Sequence, residues 1–272
     1  MGLPPNPLNG FPPPPPEYVP VTRPAPLIPK SEEDPPWTGW EVLFIVAVTV
    51  GASFVLGLAV MVTAEAFAYG HTSWATLARK PELLLVAQLL AYVVVLAVMY
   101  RLVAAKTGQF WNPLRWHWPA QWPAFLFVGA VLYFVLAGLG QLLPIPKQLP
   151  IDRFFANSRE ATIMSIFAVS FAPFMEELFF RGFLYPVLAR RLGVLVSIVL
   201  TSAAFGILHG AQLGYSWAVL LIFLVGVALT TVRAITKSVA ASFLIHVGYN
   251  GTLSLMMYVV TGGFRHLERL SQ

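Results

Sequence analysis

From residue 41 onward, long apolar segments alternate with short polar ones. A helix needs about 20 predominantly apolar residues to cross the hydrocarbon of a bilayer. The pattern predicts seven spans, near residues 41–64, 83–103, 122–143, 162–190, 194–212, 217–233 and 238–260. The fourth segment is too long for one plain span, and Pro173 lies inside it. Proline removes one backbone hydrogen bond and crowds the carbonyl four residues back, here that of Val169, so a kink is expected one turn before Glu176. From Leu178 the segment turns amphipathic and ends at Arg190, Arg191 and Gly193, as a helix surfacing into the interface would.

Tryptophans flank two of these spans: Trp37 and Trp40 before the first, and Trp111, Trp116, Trp118 and Trp122 before the third. Indole rings favour the headgroup level, so these are expected to be interfacial anchors. Residues 1–36 differ from the rest. They hold fourteen of the chain's 23 prolines, including Pro12 to Pro16 in a row, and are expected to be a disordered, extended tail. With seven spans, Lys30, Arg101, Lys106, Arg115, Arg190, Arg191, Arg233 and Lys237 fall on the side of the N-terminus. Arg79, Lys80, Lys147, Arg153, Arg159, Arg265 and Arg269 fall on the other. The positive-inside rule then favours a cytoplasmic N-terminus by a small margin.

Composition strengthens the membrane reading. The chain is 57% hydrophobic and 11% charged, where a soluble domain carries about a quarter charged residues. The fold class expected is all-α, a polytopic transmembrane bundle. Cysteine is absent, which excludes disulfides, thiolate nucleophiles and cysteine-bound metals. The net charge of +5 fits contacts with anionic lipid and cytoplasmic loops. No basic patch interleaved with aromatics suggests a nucleic-acid partner.

Ionisable groups inside a bilayer are costly and tend to be functional. Apart from Glu65, which closes the first span, and charges at or near span ends, the spans contain Glu176, Glu177, Arg181, His209 and His246, with Asn250 as a polar neighbour. Glu177 and Arg181 are four apart, acid first, the favourable order for a helical ion pair. Glu176 is rotated about 100° away and has no partner on its own helix. Desolvation disfavours the charged form of an unpaired carboxylate, which suits it to accept a proton as a general base. His209 follows Phe205 by four residues on one helix face, a spacing equally consistent with a packing role. His246 and Asn250 share the same spacing; they could direct two donors at one developing oxyanion, or simply bridge helices.

If the site cuts peptide bonds, most intramembrane chemistries are excluded. The only aspartates, Asp34 and Asp152, lie outside the spans. No H-E-x-x-H occurs, and Gly214-Tyr215-Ser216-Trp217 lacks the second glycine of a serine elbow. A glutamate with histidines remains.

Three blocks carry a resemblance. Glu176-Glu177-Leu178-Phe179-Phe180-Arg181 matches E-E-x-x-x-R, Phe205 to His209 matches F-x-x-x-H, and His246 to Asn250 matches H-x-x-x-N. In this order and spacing, over about residues 160–255, they resemble the CPBP family. That family comprises the CAAX prenyl proteases and bacterial proteins linked to bacteriocin processing and self-immunity. The resemblance implies a glutamate-type intramembrane endopeptidase, multi-pass in a bacterial inner membrane, acting on membrane-associated proteins or peptides. It assigns Glu176 as the base that activates water, His209 as its orienter, and His246 and Asn250 as oxyanion donors. Glu177, Arg181 and Phe205 become structural support. It also implies an eighth span in many members. The corresponding division of the chain is a tail over 1–36, three N-terminal helices over 37–150, a catalytic bundle over 151–262 and a short C-terminal tail over 263–272.

No cofactor is expected. A divalent metal held by the two Glu and two His is the alternative, ranked lower because Arg181 already supplies positive charge and no residues that would orient metal ligands are visible in the sequence. Two other functions compete: a catalytically silent immunity or binding protein of the same fold, and a proton-coupled transporter. The transporter reading predicts carboxylates spread over several helices, whereas here they are adjacent on one. By the expected boundaries His209 ends its span while Glu176 and His246 lie deeper, so either the fifth helix extends past Gly210 or the fourth starts later.

Overall fold

A computed structural model describes residues 1, 2, 33–70 and 72–271. Most of the proline-rich tail therefore lies outside the described residues, which resume at Glu33. Among the described residues the fold is all helical, without strands.

Helix α1, Gly39–Ala64, starts at a capping box in which the Thr38 N–H donates to Glu41 Oε2 at 2.8 Å. Such a box satisfies donors that the first turn leaves unpaired. After a short helix, α2 (Trp74–Leu77), α3 covers Pro81–Thr107, with proline at its first position and Gly108 (φ 70°) in the left-handed conformation at its end. Helix α4 is Trp122–Gly140. The long fourth segment is divided. Helix α5, Ser158–Val169, is capped by Asn157, and α6 is Phe171–Glu177. A π-helical stretch, Leu178–Leu184, leads into α7, Tyr185–Leu192. The break between α5 and α6 falls at Ser170 (ψ −75°), within a turn of the carbonyl that Pro173 crowds. Helices α8 (Val194–Leu208), α9 (Ala218–Thr236) and α10 (Val239–Val260) complete the bundle.

Among the described residues, six helices are long and apolar enough to cross a bilayer: Gly39–Tyr69, Pro81–Thr107, Trp122–Gly140, Ser158–Leu192, Ala218–Thr236 and Val239–Val260. The protein is an integral membrane protein. The expected fifth span is shorter than its apolar run suggests. Helix α8 has 15 residues, about 22 Å at 1.5 Å per residue, against a hydrocarbon core of about 30 Å. It stops at Leu208 and does not extend past Gly210.

The two ends of the bundle differ. At one, residues 33–41 meet the ends of α3, α7 and α9. There Lys106 pairs with Glu41, Arg190 with Asp34 (3.2 Å) and Arg233 with Glu33 (2.9 Å), and the Val239 N–H donates to the Arg115 carbonyl (3.0 Å). At the other, the loop after α4 packs on the turn after α8, where the Ile151 N–H donates to the Gln212 carbonyl (2.9 Å). The Ser158 hydroxyl donates to Phe264 O (2.5 Å) at the same end.

Trp40, Trp111, Trp118 and Trp122 are exposed, as anchors should be. Trp37 is not. It is buried, and its indole N–H donates to the Phe183 carbonyl at 3.1 Å. The altered hydrogen-bond register of a π-helical turn leaves carbonyls available for such donors. Trp116 is half-buried and packs edge-on against Phe174, ring centroids 5.3 Å apart.

Candidate active site

Glu177 and Arg181 face the centre of the bundle and are both fully buried, with Arg181 Nη1 2.8 Å from Glu177 Oε1. Removing two charges from water is costly unless their remaining donors and acceptors are also satisfied. Arg181 meets this condition through α9: Nε donates to Thr230 Oγ1 (3.3 Å) and Nη2 to the Gly226 carbonyl (3.2 Å). On the other side of the pair, His246 Nδ1 lies 2.9 Å from Glu177 Oε1. The guanidinium also sits over the Phe205 ring, 4.7 Å from its centroid.

Glu176, rotated off this pair, opens into a cavity of about 890 Å³. Its two oxygens face two imidazoles. Oε1 is 3.9 Å from His209 Nε2, and Oε2 is 3.7 Å from His246 Nε2. His209 is the residue that terminates α8, and its Nδ1 is 2.8 Å from the Phe205 carbonyl. Both imidazoles are thus held by Nδ1 and turn Nε2 toward Glu176. Phe205 packs against both, at 4.7 Å from His209 and 5.8 Å from His246. The depth mismatch expected from the sequence is resolved because α8 is short and its end meets Glu176 directly.

Asn250 also lines the cavity. One of its amide protons is committed, since Nδ2 donates to the Ala168 carbonyl at 2.7 Å. That carbonyl belongs to the turn where α5 breaks, so Asn250 ties α10 to the interruption that presents Glu176. Its second amide proton is available to the cavity.

Sequence reasoning missed other parts of the site. Gln88 and Tyr92, four apart on α3, line the same cavity, and Tyr92 stacks on Phe167. Two polar residues at this spacing in an apolar span were a readable signal. Gly226 and Thr230, which hold Arg181, form a small-x-x-x-small pair, also readable as a close helix contact. At its exposed end the cavity is rimmed by Lys147, Asp152, Arg153 and Gln212. Its walls are otherwise mostly apolar.

Each imidazole is anchored through Nδ1, His209 on the Phe205 carbonyl and His246 on Glu177, which the sequence does not reveal; metal-binding histidines are often held in this way. Among the described residues, no three His, Asp or Glu side chains are grouped as the ligands of one ion.

Residues 158–252 match the family model described as type II CAAX prenyl endopeptidase Rce1-like. The matched segment runs from the start of α5 into α10 and includes Glu176, Glu177, Arg181, Phe205, His209, His246 and Asn250. No curated protein and no solved structure matches the chain.

Proposed function

We propose that this chain, which carries a Rce1-like CAAX endopeptidase domain at residues 158–252, is an intramembrane endopeptidase that hydrolyses peptide bonds with water activated by Glu176. The observation that carries the reading is the placement of one carboxylate between two ring nitrogens, 3.7 and 3.9 Å away, at the inner end of a mostly apolar cavity.

A water bound at Glu176 gives up a proton to the carboxylate as its oxygen attacks the peptide carbonyl. The protonated carboxyl then returns that proton to the departing amine. With Nδ1–H directed to the Phe205 carbonyl, neutral His209 presents an Nε2 lone pair, which accepts the water's second hydrogen and orients it. His246 donates from Nε2 when its ring carries both protons, and Glu177 is the counterion for that state. The free amide proton of Asn250 supplies the second donor to the oxyanion. Arg181 and Phe205 hold Glu177 and the rings in register. No step runs through a metal. The substrate is a membrane-associated protein or peptide.

The test compares membrane proteomes of cells with wild-type protein, with Glu176→Gln, and with Arg191→Gln as a control at an exposed position. Uncut precursors should accumulate only with Glu176→Gln. Identical proteomes in all three, together with no hydrolysis of membrane peptides by purified wild-type protein, would overturn the reading.

A further inference from the structure

The charged residues of the bundle form a line that begins far outside the segment matching the family. Glu33, near the end of the proline-rich region, is almost fully buried. Its two carboxylate oxygens accept from Arg233 Nη1 (2.9 Å) and Nη2 (3.2 Å), and Arg115 Nε lies 3.6 Å away. A paired fork of this kind fixes orientation as well as charge. Arg233 stands three residues beyond Thr230 on α9, so Gly226, Thr230 and Arg233 share one helix face. That face meets Glu177, Arg181 and Tyr185, which are spaced by four on the facing segment. Arg181 bonds Gly226 and Thr230, and the Arg233 guanidinium lies over the Tyr185 ring at 5.5 Å. The far end of this double row is His246, bonded to Glu177.

We propose that Glu33 is a positioning residue for the Glu176 site. By clamping Arg233 it sets the register of the α9 face against Arg181, and through Arg181 and Glu177 the orientation of the His246 ring. The inference rests on the proposed endopeptidase reading only for its effect on rate; the ring orientation is a property of the protein whether or not a peptide is cut.

The experiment uses full-length protein in lipid nanodiscs, in four forms: wild type, Glu33→Gln, the exchanged pair Glu33→Arg with Arg233→Glu, and Thr230→Val. The last leaves the Glu33–Arg233 pair intact and interrupts the row further in. Histidine-selective NMR reads the His246 ring, assigned with His246→Gln, with His266 as the internal control. Cleavage of a membrane peptide is measured per folded molecule. Glu33→Gln and Thr230→Val should each move the His246 ring signals and leave those of His266 in place. Each should lower kcat roughly tenfold with little change in KM, since misplacing a reacting group by an ångström costs up to about a hundredfold. The exchanged pair should restore both the ring signals and kcat. Unmoved His246 signals in Glu33→Gln would overturn the proposal. If that variant does not fold, unmoved signals in Thr230→Val would do the same. Moved signals in a wild-type protein that cuts nothing would support the positioning role and count against the endopeptidase reading alone.

Discussion

Gly129 on α4 and Gly248 on α10 lie where the two helices cross with no room for a methyl group on either. A Cβ on Gly129 would fall 2.2 Å from the Ile245 carbonyl oxygen, and one on Gly248 would fall 2.2 Å from that of Leu126. Gly248 sits midway between His246 and Asn250, so this contact sets how far both project into the cavity. Gly248→Ala must push the helices apart. It should cost about 1–3 kcal/mol, as overpacked interiors do, and at least about tenfold in cleavage rate, given how steeply rate falls with misplacement. Thermal unfolding in detergent and a peptide-cleavage assay would read the two effects. A fully active Gly248→Ala protein would contradict the geometry.

The two adjacent glutamates should respond differently to mutation. Glu177 is fully buried against Arg181, and truncating one partner of such a pair leaves the other charge stranded. Glu177→Ala is therefore expected to lose about 3–5 kcal/mol of stability. Glu176, partly exposed to the cavity, has no such partner. Glu176→Gln should leave stability within about 0.5 kcal/mol of wild type and lower cleavage by about 10²–10⁴, the usual range for a lost general base. Equal losses of stability in the two variants would refute this division of roles.

Cleavage should persist in a strong chelator. In the proposed mechanism the proton acceptor is the Glu176 carboxylate, and Arg181 already supplies positive charge beside the adjacent Glu177. Loss of activity on chelation, restored by added zinc, would show that a metal ion takes part.

Trp37 and Trp40 should separate in the same way as the glutamates. Trp37→Phe keeps an aromatic ring beside Phe183 but deletes the bond to its carbonyl, leaving a buried acceptor unsatisfied. The expected loss is about 1–3 kcal/mol. Trp40→Phe, at an exposed position, should change stability by no more than about 0.5 kcal/mol. Unfolding in detergent measures both.

Much of this was legible in the sequence because the bilayer restricts what a span can contain. Charges are so rare in the apolar segments that Glu176, Glu177, Arg181, His209 and His246 marked themselves, and the i, i+4 rule paired the correct glutamate with Arg181. Pro173 announced the break that falls at Ser170. What could not be read depends on distant partners or on local backbone register. Glu33 looked like the end of a solvated tail because its partner, Arg233, is 200 residues away. The π-helical turn at Leu178–Leu184 has no sequence signature, so the carbonyl that Trp37 serves was invisible, and Trp37 was grouped with the interfacial tryptophans. Helix α8 was drawn too long because its apolar run continues past the point where the chain turns. That turn is what brings His209 to Glu176.

The cavity's charged rim and the cluster around residues 33–41 occupy opposite ends of the bundle. The carboxylate clamp on Arg233 and the open mouth of the cavity are therefore separated by the full height of the bundle, and in a membrane they would belong to its two opposite faces, with the row from Glu33 to His246 running between them.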